Sequence, residues 1–213
     1  MTYYERPKNE EELQKREAIG TIRASRFVRK FAKSKKPIDI DAIYNIHKII
    51  FKDAWPEIAG VLRTEQAEIT DSPHLPPHHR TVPGLMIELN KELKDKVGEL
   101  RPLPIQSSFG VGLDKKEAEM VTDIIHVAAW IHHKVVHIHP FIEGNGRTAR
   151  LVANLILERF CLIGISIKIE KESKNNYLAA LRQIDKMGDY APLEEIITDG
   201  LIDRYSGIPH KIV

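Results

Sequence analysis

The stretch of sequence that decides the fold reads HPFIEGNGRTAR and occupies residues 139–150. Before it, apolar residues recur every three or four positions up to about His137, and after it the same spacing leads to Phe160 and a helix end near Gly164. This spacing predicts two long amphipathic helices that pack together, with the quoted stretch as their connection. Asp114 and Glu117 have the spacing of a capping box, which predicts where the first helix begins.

Helical spacing also dominates the rest of the chain, and sustained period-two alternation is nearly absent, so we predict an all-α fold class. Residues 61–82 are the exception, because they combine three prolines with no helical stripe and predict a surface loop or a short β-hairpin. Further helices are expected over about residues 40–51 with Asp39 as N-cap, from Pro83 to Gly98, over 173–187 and over 193–205.

The composition is that of a folded protein: 42% of the 213 residues are hydrophobic and 29% are charged. A single cysteine, Cys161, excludes an intramolecular disulfide, and its apolar neighbours predict a small core residue. No apolar run approaches the roughly 20 residues that span a bilayer, and the N-terminus lacks a signal-peptide pattern. We therefore expect a cytoplasmic protein, with delivery into another cell left open.

The net charge of +2 conceals a basic segment near the N-terminus. Between Thr21 and Lys36 there are seven Lys or Arg residues and no acidic residue, interleaved with Phe27, Val28 and Phe31. The favoured interpretation is a helix whose apolar side docks on the domain while its charges face water. Binding of nucleic acid through these charges is the less favoured alternative.

The residue types within 139–150 are suited to binding a polyphosphate. Gly144, Asn145 and Gly146 permit a tight or left-handed backbone at the start of the second helix, where unpaired N–H groups and the helix dipole attract an anion. Arg147 and Arg150 lie three residues apart, so we expect both to project from one face of that helix and to bind further phosphates.

Two other residues of this stretch suit the chemistry of group transfer. Glu143 precedes the glycine-rich turn, where its carboxylate could hold a Mg²⁺ ion that bridges phosphate oxygens. His139 could take a proton from an attacking hydroxyl as a neutral imidazole. A base, an anion cradle, a metal ligand and two cations in twelve residues predict a phosphoryl or nucleotidyl transfer site.

The same twelve residues match without a mismatch the HPFx(D/E)GNGRxxR motif of Fic-family proteins. The resemblance extends to IHKIIFKDAW with AGVLR, to SPHLPPHHRTVPGLMIEL and to NYLAALRQIDKMGDYAPLEEII, and covers roughly residues 38–200. It implies a Fic (Fido) helical domain over 38–205 with a short β-hairpin flap, preceded by a basic helical extension over 1–37 and followed by a tail over 206–213.

The activity that this resemblance implies is protein AMPylation, the transfer of AMP from ATP to a Ser, Thr or Tyr hydroxyl of a target protein. On matching positions, His139 is the general base and Glu143 the Mg²⁺ ligand. Gly144, Asn145 and Gly146 form the anion hole, and Arg147 and Arg150 bind the outer phosphates. The flap, residues 64–77, would align the target segment by backbone pairing, as an added strand does.

Many members of the family carry an inhibitory (S/T)xxxE(G/N) helix whose glutamate pairs with the second motif arginine. Only Thr64 to Glu68 and Ser166 to Glu170 have the Ser/Thr-to-Glu spacing here, and neither continues with Gly or Asn. We therefore expect Arg150 to be accessible to ATP. The alternatives for control are a separate antitoxin-like partner, a diverged element or no such control.

Three other functions stay open at this point. Within the same fold, the donor could carry UMP, phosphocholine or phosphate instead of AMP. His133 and His137 have an i, i+4 spacing that can chelate zinc, with His126, His132 and His139 nearby, although the glutamate of HExxH is missing. The third alternative is a binding module for nucleic acid or protein without enzymatic activity.

Overall fold

The computed structural model describes residues 7–69, 74–104, 113–166 and 171–206, and these ranges contain helices but no strand. The all-α fold class is thus confirmed. No described helix is long and apolar enough to cross a membrane. The elements are α1 (Glu10–Ala32), α2 (Ile40–Phe51), a 3₁₀ turn (His79–Thr81), α3 (Val82–Glu99), α4 (Lys115–Ile138), α5 (Asn145–Arg159), α6 (Lys171–Met187) and α7 (Ala191–Ser206).

Helices α4 and α5 form the centre of the molecule and make its most extensive helix–helix contact. The expected capping box is present at the start of α4, where Asp114 and Glu117 each bond the other's backbone N–H. Asp39 likewise caps α2 by accepting from the Ala42 N–H. Much of α4 and α5 is buried, so their packing fixes the residues that connect them.

Two expected helix ends and one burial prediction are wrong. Helix α5 ends at Arg159, five residues before Gly164, because Cys161 adopts a left-handed backbone with φ 72° and the chain turns there. The apolar residues that follow pack on the core as a returning segment, while Cys161 itself is exposed. Helix α3 runs through Gly98 to Glu99, since Gly98 does not adopt a positive φ.

Helix α1 packs against α2 and α5 through a row of small side chains. Its buried residues recur every fourth position and comprise Gly20, Ala24, Val28 and Ala32. At Gly20 the approach is so close that a Cβ atom would lie 1.9 Å from the carbonyl oxygen of Ile50. The expected apolar docking side of α1 is confirmed. The helix that carries the basic residues therefore packs on the core of the domain through its small buried residues.

We expect Gly20→Ala to destabilise the protein by about 1–3 kcal/mol, because the clash with the Ile50 carbonyl outweighs the gain in helix propensity. Gly98→Ala is the matched control, since it is also a helical glycine and a Cβ atom added there would meet nothing within 4 Å. The free energy of unfolding of the control should rise by about 0.5–1 kcal/mol. Urea unfolding measures both free energies, and equal stabilisation of the two variants would contradict the packing of α1 on α2.

Candidate active site

The loop between α4 and α5 is closed by a side chain. Asn145, the first residue of α5, is buried and accepts from the Phe141 N–H at 2.9 Å while its amide donates to the Phe141 carbonyl at 2.8 Å. Both backbone groups of Phe141 are therefore satisfied although they are buried. The anion hole expected here involves the backbone of Asn145, and its side chain in addition holds the loop in shape.

His47 of α2 packs against this loop and bonds to its backbone. Its Nε2 donates to the Glu143 carbonyl at 3.0 Å, and its Nδ1 accepts from the Gly60 N–H at 2.9 Å. The imidazole stacks on Phe141 with ring centroids 3.8 Å apart. Burial lowers the pKa of His47 to about 4, so the ring is neutral and keeps one donor and one acceptor. Sequence reasoning missed this residue, for which the only signal was a histidine in an otherwise apolar helix face.

The N-terminus of α5 is open towards a ligand. Gly144 is its N-cap with φ 75°, and as glycine it has no side chain that could cap the N–H groups of the first turn. A Cβ atom at Gly144 would lie 2.3 Å from the Phe51 ring, so both the backbone angle and the space require glycine. Asn145, Gly146 and Arg147 occupy the first turn, where N–H groups have no partner within the helix. Gly146 itself is helical, so the left-handed backbone expected here is confirmed only at Gly144.

His139 lies at the end of α4 with a left-handed backbone, φ 51°. Its Nδ1 is 3.4 Å from the Val136 carbonyl, which can only accept, so Nδ1 carries the hydrogen and Nε2 the lone pair. Burial lowers the pKa of His139, which favours this neutral form. The imidazole is therefore suited to accepting a proton at Nε2.

Arg63 joins the flap to the loop that carries His139. The residue is only 4% exposed, and its backbone N–H also bonds to the Pro140 carbonyl at 2.9 Å. Its guanidinium donates to three backbone carbonyls, those of His139 at 2.7 Å, Glu65 at 2.9 Å and Pro77 at 2.5 Å. No periodic pattern or motif pointed to this role, because the partners are distant backbone atoms.

The flap, residues 64–77, is irregular where the structure describes it. Neither 64–69 nor 74–77 forms a strand, and residues 70–73 lie outside the described part of the chain. The Gln66 side chain donates to the Pro76 carbonyl at 3.0 Å and joins the two limbs. The described limbs therefore lie side by side without the backbone pairing of a β-hairpin.

The two motif arginines have different surroundings. Arg147 pairs with Glu17 of α1 at 2.6 Å, lies 3.4 Å from the Glu143 carboxylate, and stacks over Phe51 at 4.9 Å. The Glu17 contact was not expected, since the two residues are 130 positions apart. Helix α1 therefore contributes to the site.

Arg150 points inwards, and none of the described carboxylates forms an ion pair with it. One of its nitrogens, Nη1, lies 3.5 Å from the point that a Cβ atom would occupy at Gly146. Partial burial lowers the pKa of its guanidinium, which nonetheless stays charged. The arrangement leaves a partly buried cation beside the N-terminus of α5, where an anion would be stabilised.

Arg150 and His139 line the same cavity of about 160 Å³. This volume is below the roughly 300 Å³ of small ligand pockets, so a large ligand must extend out of the cavity or displace part of its wall. The wall is built by the flap, α4, α5 and α6, and includes Ile69, His74, Gly146, Tyr177, Leu181 and Asp185.

The other histidines of α4 do not converge on one point. His126 bonds to Glu194 at 2.7 Å, and the buried His132 contacts the Tyr177 hydroxyl at 2.8 Å. His133 and His137 both bond to Asp185 of α6. Burial alone would raise the pKa of Asp185, but these hydrogen bonds outweigh it and hold that pKa below its usual value. Of the five histidines considered as zinc ligands, only His133 and His137 share a partner, the Asp185 carboxylate.

We expect His47 to make the fold sensitive to acid. The unfolded chain binds a proton on His47 near pH 6.5, whereas the folded protein does so only near pH 4, so stability is lost as the pH falls between these values. Between pH 7.5 and pH 5 the wild type should lose about 2 kcal/mol more than His47→Asn, measured by urea unfolding. Ile197→Val is the control, because Ile197 is fully buried on α7, which packs on α4 and α6, and this variant should keep the wild-type dependence. An unchanged dependence in His47→Asn would contradict the buried neutral imidazole.

Comparison with known proteins agrees with this geometry. The protein adenylyltransferase fic-1 of Caenorhabditis briggsae is 31% identical over 196 residues, which cover 90% of this chain and 34% of that protein. The solved structure of Fic-1 (aa134–508) from C. elegans superimposes with a TM-score of 0.66 at 29% identity, covering 94% of this chain and 52% of that one. The chain thus spans about a third of the curated relative.

A more distant neighbour shares the fold. BepC of Bartonella tribocorum, solved with bound AMPPNP, is 18% identical with a TM-score of 0.61 and covers 91% of this chain and 88% of that one. The family model described as Fic/DOC matches residues 37–157, more than half of the sequence. Helix α4, the connecting loop and α5 up to Leu157 lie within this match, and the chain belongs to the Fic/DOC family.

Proposed function

We propose that this protein is an adenylyltransferase that moves AMP from ATP to a Ser, Thr or Tyr hydroxyl of a target protein. The observation that carries the proposal is one cavity in which a neutral His139, the N-terminus of α5 and the inward-pointing Arg150 meet. A base and two anion-binding groups at one point are what nucleotidyl transfer requires. Relatives named protein adenylyltransferase at about 30% identity add support.

Each motif residue then has a role. Nε2 of His139 accepts the proton of the target hydroxyl, whose oxygen attacks the α-phosphorus while the bond to the pyrophosphate breaks. The amides of Asn145 and Gly146, beyond the Gly144 cap, bind the charge on the α-phosphate. Pyrophosphate leaves with the electron pair of the broken bond. This assignment keeps the backbone role expected for Asn145, while its side chain holds the loop.

The two arginines bind the outer phosphates in different ways. Arg150 already lines the cavity and meets a phosphate without moving far. Arg147 is held by Glu17 and Glu143, and a phosphate would compete with these carboxylates for the guanidinium. Glu17 thereby limits how tightly the outer phosphates bind, although it does not match the inhibitory motif of the family.

The residues present fit a Mg²⁺ ion near Glu143. Its side chain is 55% exposed beside the helix N-terminus, and its Oε1 is oriented by the Gly144 N–H at 2.7 Å. Carboxylate oxygens are ligands that Mg²⁺ prefers. When bound together with ATP, the ion would neutralise phosphate charge.

The flap is the proposed contact for the target segment. Arg63 and Gln66 hold its limbs next to His139, so a segment placed along residues 64–77 would bring a hydroxyl near the imidazole. The same proposal places the limits of the Fic domain at residues 37 and 205. It also includes a separate inhibitor protein and a cytoplasmic location.

Labelled ATP tests the reaction. With Mg²⁺ and a lysate, label from the α-phosphate should reach protein and label from the γ-phosphate should not. His139→Ala should lower transfer by about 10²–10⁴-fold, the usual contribution of a general base. His126→Ala is the control, because His126 lies on the same helix and bonds to Glu194 away from the cavity. Transfer of γ-label would identify a kinase instead. Transfer of label from UTP or CDP-choline to protein would identify another donor.

The pH dependence of transfer tests the state of His139 separately. Because burial lowers its pKa, the neutral base persists below the ordinary value of about 6.5. We expect the acidic limb of the kcat/KM profile to fall below pH 6.5, with activity lost as the pH drops through the lowered pKa. A limb at or above pH 6.5 would contradict a desolvated His139 as the base.

A further inference from the structure

Asp185 is surrounded by three imidazoles from two parts of the chain. Its Oδ1 accepts from His133 Nε2 at 2.9 Å and from His137 Nδ1 at 2.8 Å, both on α4. Its Oδ2 lies 4.0 Å from Nδ1 of His74, which belongs to the flap. The sequence showed only the His133 and His137 pair, since His74 and Asp185 are far away along the chain. One carboxylate thus links α6, α4 and the flap.

The ring of His74 presents a lone pair to this carboxylate. Its Nε2 is 2.9 Å from the His137 carbonyl, which can only accept, so Nε2 carries the hydrogen. In the neutral imidazole, Nδ1 then carries the lone pair, and this is the atom that faces Oδ2 of Asp185. Imidazole nitrogen and carboxylate oxygen are both ligands of zinc, so these two atoms could bind one ion.

The spacing suits a metal ion. Ligand atoms of His74, His137 and Asp185 all lie within 4.8 Å of one another. Zinc binds imidazole nitrogen and carboxylate oxygen at about 2.0–2.2 Å, so two of its ligands lie at most about 4 Å apart, and small side-chain movements close the site. His137 donates from Nδ1 to Asp185, so binding an ion through this atom requires its hydrogen to move to Nε2. Two imidazoles and one carboxylate then leave a fourth position for water, as in open zinc sites.

The surroundings of these three residues also resemble those of a metal site. The His74 ring is oriented by a backbone carbonyl, and the Asp185 carboxylate is oriented by the buried His133. Such outer hydrogen bonds fix the direction of metal ligands. Arg150 and Arg182 line the same cavity, and their charge weakens cation binding, so the affinity should be lower than that of a structural zinc finger.

We propose that His74, His137 and Asp185 form a zinc site that fastens the flap to α4 and α6. A bound ion would hold His74 in the wall of the cavity of about 160 Å³ and keep a nucleotide from displacing that part of the wall. Zinc and ATP should therefore exclude one another. The zinc site stands independently of the proposed function, whereas the competition with ATP rests on it.

Calorimetry on the full chain tests the site without any activity assay. After treatment with a chelator, the protein should bind Zn²⁺ at one ion per chain, and Asp185→Asn and His74→Ala should each weaken this binding at least tenfold. His78→Ala and His126→Ala are matched controls, because both remove a histidine outside the site and should bind as the wild type does. Circular dichroism checks that each variant is folded.

Cobalt gives a second measurement that a merely structural cluster would not pass. Co²⁺ in place of zinc should give the intense visible absorption of a four-coordinate site in the wild type, and this should be lost in Asp185→Asn. No saturable zinc binding, or binding that Asp185→Asn and His74→Ala leave unchanged, overturns the site.

The link to the nucleotide is measured by titrating an ATP analogue with and without zinc. We expect the apparent Kd for the analogue to rise at least tenfold at saturating Zn²⁺ in the wild type and to stay constant in His74→Ala. Zinc binding at one ion per chain without this rise overturns the competition alone. Analogue binding that is absent with and without zinc contradicts the proposed function and leaves the zinc site intact.

Discussion

The site depends on keeping the irregular backbone of residues 139–144 in one conformation between two buried helices. Buried N–H and carbonyl groups are costly unless they are bonded, so each needs a partner from elsewhere. Asn145 supplies two of these bonds, His47 bonds the Glu143 carbonyl, and Arg63 bonds the carbonyls of His139 and Pro140. The position of the His139 imidazole follows from this set, because His139 itself has a backbone conformation that few residues adopt unaided.

The two arginines of the site differ in depth and in their partners. Arg150 points inwards with no described carboxylate paired to it, so its field is directed at the cavity, where the low dielectric makes it strong. Arg147 is closer to solvent and shares its charge with Glu17 and Glu143. A basic helix at the N-terminus thus provides an acidic side chain that controls the outer cation. Helix α1 thus contacts the candidate site although the family model begins at residue 37.

The sequence predicted what depends on neighbours along the chain. Capping of α2 and α4, the spacing of α4 and α5, and the glycine at the N-cap of α5 all follow from patterns within a few residues. It could not predict contacts over long separations: His47 meets Glu143 across 96 positions and Glu17 meets Arg147 across 130. The predicted C-terminal end of α5 was wrong for a related reason. Its apolar run continues past Arg159, and only the tertiary packing shows that the later residues turn back.

The small volume of the cavity makes the position of the flap important for nucleotide binding in the proposed reaction. A nucleoside triphosphate needs more room than 160 Å³, and α4 and α5 cannot supply it, because their contact is the core of the protein. The flap can, since its described limbs are held by side-chain bonds to backbone carbonyls and not by a strand ladder. Arg63 anchors the base of both limbs through the carbonyls of Glu65 and Pro77, while Ile69 and His74 line the cavity. The contact between His74 and Asp185 joins the flap to α6, and whatever stabilises it keeps His74 in the wall of the cavity.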